Sequence, residues 1–357
     1  MFSETQPLIT QFERPLRVLV ISPRLPTADR PGSMAPALRQ IESLRKLGLE
    51  MIVQDMRGLP VVKYGPAIPR MRNSLKDVDL VHAHFGYCGW IGRMQRSKPL
   101  VISFMGDDLL GTPSSKDKTT LFSRLMVQLN KRLARWGDEV IVKSQEMAEV
   151  IRPAKCHVVA NGVDTDNFRP IAKEEARQRL GLKKDQLYVL FPGDPSNPRK
   201  GFALAEAARL EAEKKTGHSI ETFVLWGKHP EDVPYCMNAC DAMWMTSLIE
   251  GSPNVVKEAM ACNISIAGVD VGDVAWLLNG VHGYAVCPRE PVALGAIMAD
   301  MLTQNHDVGG REAIFKLGLG IEQVAQRVVS IYRMALEKKS QSTGLAAVQM
   351  VRGEKVS

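Results

Sequence analysis

No stretch of this 357-residue chain approaches the roughly 18 apolar residues in a row that a membrane-spanning helix needs. The opening, MFSETQPLITQFERPLRVLV, carries Glu4 and Glu13 and lacks a long apolar segment behind a basic end, so it does not read as a secretory signal. Fixed-period repeats and low-complexity blocks are also missing. The six cysteines (Cys88, Cys156, Cys236, Cys240, Cys262 and Cys287) are scattered, and Cys236-x3-Cys240 has no second ligand pair at zinc spacing. Buried free thiols in a reducing cytoplasm are the reading that follows. The first glycine-containing loop, SPRLPTADRPGS, lacks G-x-G-x-x-G, which argues against a nicotinamide-dependent Rossmann enzyme.

What is present is ordinary globular material, 45% hydrophobic and 24% charged, in a chain long enough for two domains. Short apolar runs alternate with helical patterns: RVLVIS before ALRQIESLRKLG, then DLVHAHF, PLVISFM and EVIVKS. A second set begins at LYVLFPGD and continues through ETFVLWG, AMWMTS, ISIAGVD and YAVCP. That alternation predicts α/β architecture with two doubly wound, Rossmann-like domains, binding ligand at the carboxyl ends of their strands, in the cleft between domains. We place the domains at 1–168 and 169–320, with the polar stretch 165–186 carrying the connection. A helix over 321–339 is expected to pack back toward the N-terminal domain, and 340–357 to form a frayed tail.

Charge is unevenly divided. Residues 1–170 hold 25 Lys and Arg against 17 Asp and Glu, a net +8, while 171–357 hold 21 against 22. A basic half suits an anionic partner, although many basic surfaces serve only solubility. Within it, KTTLFSRLMVQLNKRLARW (118–136) sets Leu121, Phe122, Leu125, Met126, Leu129, Leu133 and Trp136 against five basic side chains. Such a helix can lie on an anionic membrane, or pack its apolar stripe inward.

The most specific stretch is EGSPNVVKEAM (250–260). Ser252 is a good N-cap and Pro253 a good first helical residue, so a helix is expected straight after Glu250-Gly251. Its free amides around Gly251 to Val255 and its positive dipole end make an anion site. Val255, Val256, Ala259 and Met260 form the expected buried stripe, with Asn254 and Glu258 on a separate polar face. Glu258 then stands one turn behind the anion and Glu250 in front of it, bracketing a nucleotide-sugar. A capped surface helix with two solvated glutamates fits the spacing equally.

TSLIEGSPNVVKEAMACNISIAGVDVGDV resembles the glutamate-x7-glutamate segment of glycosyltransferase family 4, enzymes of the GT-B fold. RVLVISPRLPTADRPGSMAPALRQIESLRKLG, DVDLVHAHFGYCGWIGR, SFMGDDLL, IVKSQEMAEVI, VVANGVDTDNFRP and LFPGDPSNPRKGF resemble the same family in the same order, over roughly residues 15–335. The resemblance implies a retaining transfer of sugar from a nucleoside diphosphate donor, the nucleotide-sugar being a substrate, with no cofactor and no bound metal. Glu258 would hydrogen-bond the donor ribose, Glu250 would sit by the sugar hydroxyls, and the amides of Gly251, Ser252, Asn254 and Val255, in the loop with Pro253, would hold sugar and phosphate oxygens. Lys200, in NPRKG, would pair with the diphosphate, and Gly32 and Ser33 would let the backbone approach the donor phosphate.

Two positions depart from the family pattern. Met105, in SFMGDDLL, stands where many members have histidine. Asp194 replaces an arginine after the strand-ending glycine, and Arg199 is the candidate to supply the missing charge. His84, Met105, Asp108 and Asn161 are candidate cleft residues. His82 and His84 face one side of a strand without a third metal ligand, and Asp77-x-Asp79, Asp107-Asp108 and Asp164-x-Asp166 read as turn and cap residues. The expected activity is metal-independent transfer to a glycan or lipid-linked acceptor in cell-surface polysaccharide or glycolipid synthesis, in the cytoplasm or peripherally at the inner membrane face, without nucleic acid. The alternative is a sugar-nucleotide binding protein of the same fold with weak or no turnover.

Overall fold

In the strand RVLVISP the apolar side chains run without interruption because both faces of its sheet are covered. Val18 and Val20 enter one core, and Leu19 and Ile21 the core on the opposite face. We describe the protein from a computed structural model, over residues 14–27, 33–56, 65–111, 113–115, 118–119, 121–304 and 307–352. The side chains of 113–119 and 343–352 are not described.

The chain forms two units, Met1–Ala160 with Glu322–Ser357, and Asn161–Ile321. In the first, β1 (Arg17–Pro23), α1 (Ala35–Lys46), β2 (Glu50–Met56), α2 (Ala67–Ser74), β3 (Leu80–His84), α3 (Gly86–Arg93), β4 (Leu100–Ser103) and α4 (Asp107–Leu110) alternate. A small pair, β5 (Pro113–Ser115) and β6 (Lys118–Thr119), precedes α5 (Leu121–Leu133), β7 (Glu139–Val142), α6 (Gln145–Val150) and β8 (His157–Val158). The sheet runs β2-β1-β3-β4-β7-β8, all parallel. β2 is an edge strand, half-exposed through its centre, and its EMIVQDM pattern does not announce itself in sequence.

The second unit comprises α7 (Lys173–Leu180), β9 (Leu187–Phe191), α8 (Phe202–Thr216), β10 (Ile220–Val224), α9 (Val233–Ala239), β11 (Ala242–Met245) and α10 (Asn254–Ala261), followed by β12 (Ser265–Val269), α11 (Val274–Leu278), β13 (Tyr284–Cys287), α12 (Pro291–Thr303) and α13 (Gly310–Lys316). Its parallel sheet runs β10-β9-β11-β12-β13. The polar stretch 165–186 folds within this unit, held where buried Arg177 bonds the Ala239 carbonyl and pairs with Asp241 at 2.9 Å.

The last helix, α14, extends from Ile321 to Arg352, so the expected frayed tail beyond 340 is helical through Arg352. Val324, Val328 and Tyr332 join the core on the α1 face of the first sheet. Among the described residues no helix is long and apolar enough to cross a membrane.

Candidate active site

The candidate site in the second unit is built on two loops at the carboxyl ends of neighbouring strands, β9 and β11. After β9 the chain turns through Asp194, whose carboxylate accepts from the amide and the hydroxyl of Ser196, at 2.9 and 2.7 Å. The acid that replaces the family's arginine is thereby held within its own turn. Asn197 then caps a short 3-10 turn, Pro198–Lys200, by accepting from the Arg199 amide at 3.1 Å.

That turn is stitched to the loop after β11. Leu248 N donates to the Arg199 carbonyl at 2.7 Å, and Thr246 Oγ1 to the Lys200 carbonyl at 3.0 Å. Arg289 donates to the carbonyls of Thr246 and Ser247, at 2.9 and 3.0 Å. Gly201, at φ 69°, closes the seam: a Cβ there would lie 2.1 Å from the Thr246 carbonyl oxygen. The result is that Lys200 Nζ stands 2.6 Å from Glu250 Oε1, both side chains partly buried.

The helix start differs from expectation. α10 begins at Asn254, with Pro253 in the cap position and no side chain capping it. Ser252 is drawn elsewhere: its hydroxyl accepts from Lys257 Nζ at 2.9 Å and bonds Asp273, so it cannot fold back over the first turn. Burial pushes the Asp273 carboxyl above its usual range despite the charge of Lys257. Gly272, at φ 58°, lets its loop pass under the Glu250-Gly251 turn, where a Cβ would meet the Gly251 and Glu250 carbonyl oxygens at 2.5 and 2.6 Å.

The expected division of α10 into an apolar stripe and a polar face also changes. Residues 256–261 are all buried, including Lys257 and Glu258. Asn254 and Val255 are half-buried, and Asn254 Oδ1 has no hydrogen-bond partner. The reading of Glu258 as an ordinary solvated glutamate is excluded by its 9% exposure.

Lys257, Asp273, Thr246 and Arg289 went unpredicted. Lys257 had a signal, since a charge set within the otherwise apolar NVVKEAMA is costly to bury without a partner. Arg289 and Asp273 lie far along the chain and carry no local pattern.

In the first unit, His84, Met105, Asp108 and Ser33 lie at or just beyond carboxyl ends of strands. Asp108 accepts backbone donors from Gly86, Met105 and Gly106 at 2.9 to 3.2 Å, and burial still pushes its carboxyl up to about 6. Met105 is half-buried. Ser33 Oγ donates to the Arg24 carbonyl at 2.8 Å; Gly32 lies outside the described residues. Asn161 is partly buried where the two units divide. His82 has both ring nitrogens engaged, by Tyr332 and Ser103, and no group of three His, Cys, Asp or Glu suited to a metal occurs among the described residues.

Comparison with known proteins agrees with this architecture. Residues 11–167 match the family model described as Glycosyltransferase Family 4, and residues 182–304 that of Glycosyl transferases group 1. TuaC of Bacillus subtilis (strain 168), a glycosyltransferase assigned to teichuronic acid biosynthesis, is 25% identical over 78% of this chain and 87% of its own. The D-inositol 3-phosphate glycosyltransferase of Kribbella flavida is 26% identical over 72% of each. Among solved structures, sucrose-phosphate synthase from Thermosynechococcus elongatus superposes with a TM-score of 0.69 at 18% identity, covering 89% of this chain and 98% of that one. Anabaena Alr3699/HepE in complex with UDP-glucose gives 0.57 at 18%, covering 93% and 100%. The two matched models, the parallel-sheet units and these relatives together establish that the chain is a glycosyltransferase of the family 4 type with the GT-B fold.

Proposed function

We propose that the protein moves a sugar from a nucleoside diphosphate sugar to a glycan or lipid-linked acceptor with retention of anomeric configuration. The observation that carries this reading is the Lys200–Glu250 pair at the threshold of α10, with buried Glu258 one turn behind it. In the reaction the bond from the anomeric carbon to the diphosphate oxygen breaks and its electron pair stays on the leaving group, while the acceptor hydroxyl oxygen bonds to the anomeric carbon on the same face and passes its proton to the departing diphosphate. Lys200 and the amides opening α10 stabilise that charge where another enzyme would use a metal. Glu258 accepts from the ribose hydroxyls, and Glu250 orients the donor sugar. The solved structures of Alr3699/HepE with UDP and with UDP-glucose support a uridine nucleotide-sugar as the first donor to test. Incubation with labelled uridine, guanosine and adenosine diphosphate sugars plus a membrane extract tests the reading: label entering an acceptor supports it, and neither transfer nor donor hydrolysis with any of them refutes it.

The acceptor is proposed to be met at an anionic membrane surface. Leu121, Phe122 and Leu125 at the start of α5 are 84%, 65% and 57% exposed, so the apolar stripe does not turn inward there. Exposed Arg124, Arg132 and Arg135 flank the stripe, and basic side chains around an apolar tip complement phospholipid head groups.

A second reading, a sugar-nucleotide binding protein with weak turnover, draws on Met105, whose thioether cannot replace an imidazole toward sugar or phosphate. Measurable nucleotide binding without label transfer or donor hydrolysis would favour it.

A further inference from the structure

On the face of the first sheet that α1 and α14 cover, the side chains change character at the carboxyl ends of the strands. Val18 and Val20 of β1, Leu80 of β3, Val101 of β4 and Ile141 of β7 belong to one apolar core with Tyr332. Beyond them the same face becomes polar. Val20 pairs with His82 and Ile21 with Ala83, which brings Ser22 beside His84; His84 pairs with Ser103, and Ser103 with Ile141, two residues before Lys143. Alternation along each strand keeps Ser22, His84 and Lys143 on this one face.

His82 is fully satisfied, with Nδ1 2.7 Å from the Tyr332 hydroxyl and Nε2 2.8 Å from Ser103 Oγ. His84 packs edge-on against it, ring centroids 4.3 Å apart, yet neither His84 nitrogen has a hydrogen-bond partner, nor has Ser22 Oγ. The two residues are 1% and 0% exposed. Buried polar atoms in folded proteins are nearly always paired, so three unpaired ones on adjoining strands call for a ligand that pairs them. Lys143, 2% exposed, is close enough for its charge to join burial in holding His84 down to about 3. The imidazole is therefore neutral at working pH, one nitrogen donating and the other accepting, in a locally positive field.

We infer that Ser22, His84 and Lys143 form a binding site for an oxyanion, a phosphate or carboxylate, carried by the molecule that receives the sugar. Lys143 supplies the charge, and Ser22 and His84 read the oxygens and an adjoining hydroxyl. Only the identification of that molecule as an acceptor rests on the transferase reading; the site itself does not.

The test uses the full chain with ¹⁵N-labelled histidine, the His84 ring signals being assigned from their loss in His84→Gln. Inorganic phosphate, glucuronate and, as a neutral control, glucose are titrated separately. Saturable His84 shifts with phosphate, glucuronate or both, but not with glucose, are expected, and the effective anion distinguishes a phosphorylated acceptor from a uronic acid. Lys143→Met should weaken the response roughly tenfold, as loss of a charge-assisted contact does. Should that variant not fold, Ser22→Ala, which removes one hydroxyl, should weaken it by roughly threefold. No saturable shift with either anion, or affinities unchanged in a folded variant, overturns the proposal. Anion binding without any donor turnover would keep the site and sink the transferase reading, whereas donor turnover without an anion response would do the reverse.

Discussion

Lys200 Nζ and Glu250 Oε1 lie 2.6 Å apart, joining the end of one strand loop to the beginning of the next. The pair is partly buried, and the loops that carry it are tied together by a backbone hydrogen bond from Leu248 to Arg199 and by the Thr246 hydroxyl on the Lys200 carbonyl. A bound diphosphate would therefore find the ammonium already placed and need only share it with Glu250. Preorganisation of this kind is what lets a fixed cation lower a barrier.

Lys200→Ala should reduce turnover by about 2 to 4 kcal/mol of transition-state stabilisation, roughly thirtyfold to almost a thousandfold, as loss of one preorganised donor does elsewhere. Glu258→Ala should chiefly weaken nucleotide binding. Steady-state kinetics with the preferred donor checks both; an unchanged rate in Lys200→Ala removes it from the mechanism.

Gly201→Ala should disrupt the seam between the two loops. The added methyl meets the Thr246 carbonyl at 2.1 Å in a left-handed backbone conformation, so the loops must part, at about 1 to 3 kcal/mol. A lowered melting temperature together with lost activity is expected, and a variant with wild-type stability and rate would contradict the account of Lys200 placement.

Asp108 should titrate near pH 6, followed by ¹³C NMR of its carboxyl. Its folded value lies above the unfolded one, so its contribution to stability is fully present below about pH 4 and is lost as pH rises through about 6. A midpoint below 4 would mean that its backbone donors outweigh burial.

Phe122→Glu with Leu125→Glu should abolish co-sedimentation with phosphatidylglycerol vesicles while leaving donor hydrolysis intact. Binding in the unsubstituted protein should fall as salt rises and be absent with neutral vesicles. Equal sedimentation of both proteins would remove α5 from any membrane contact.

Much of the fold was legible because strands buried on both faces are apolar through their centres, as VLVI and AMWM are. β2 escaped because an edge strand tolerates Gln54 and Asp55. The two glutamates and Lys200 could be named from local motifs. Their mutual placement could not, since it depends on Arg289, Thr246 and Gly201 acting across long sequence separations. Ser252 does not cap α10 for the same reason: Lys257 and Asp273 together engage its hydroxyl, and only the folded chain brings Asp273 near.

The central claim is that Lys200 and the start of α10 grip the leaving diphosphate. Calorimetry of uridine, guanosine and adenosine di- and monophosphates with the unsubstituted protein and Lys200→Ala tests it most directly. The account predicts that the preferred diphosphate loses roughly tenfold or more in affinity in the variant, as expected for a lost charge-assisted contact, while the matching monophosphate changes far less. Equal diphosphate affinity in the two proteins would contradict it.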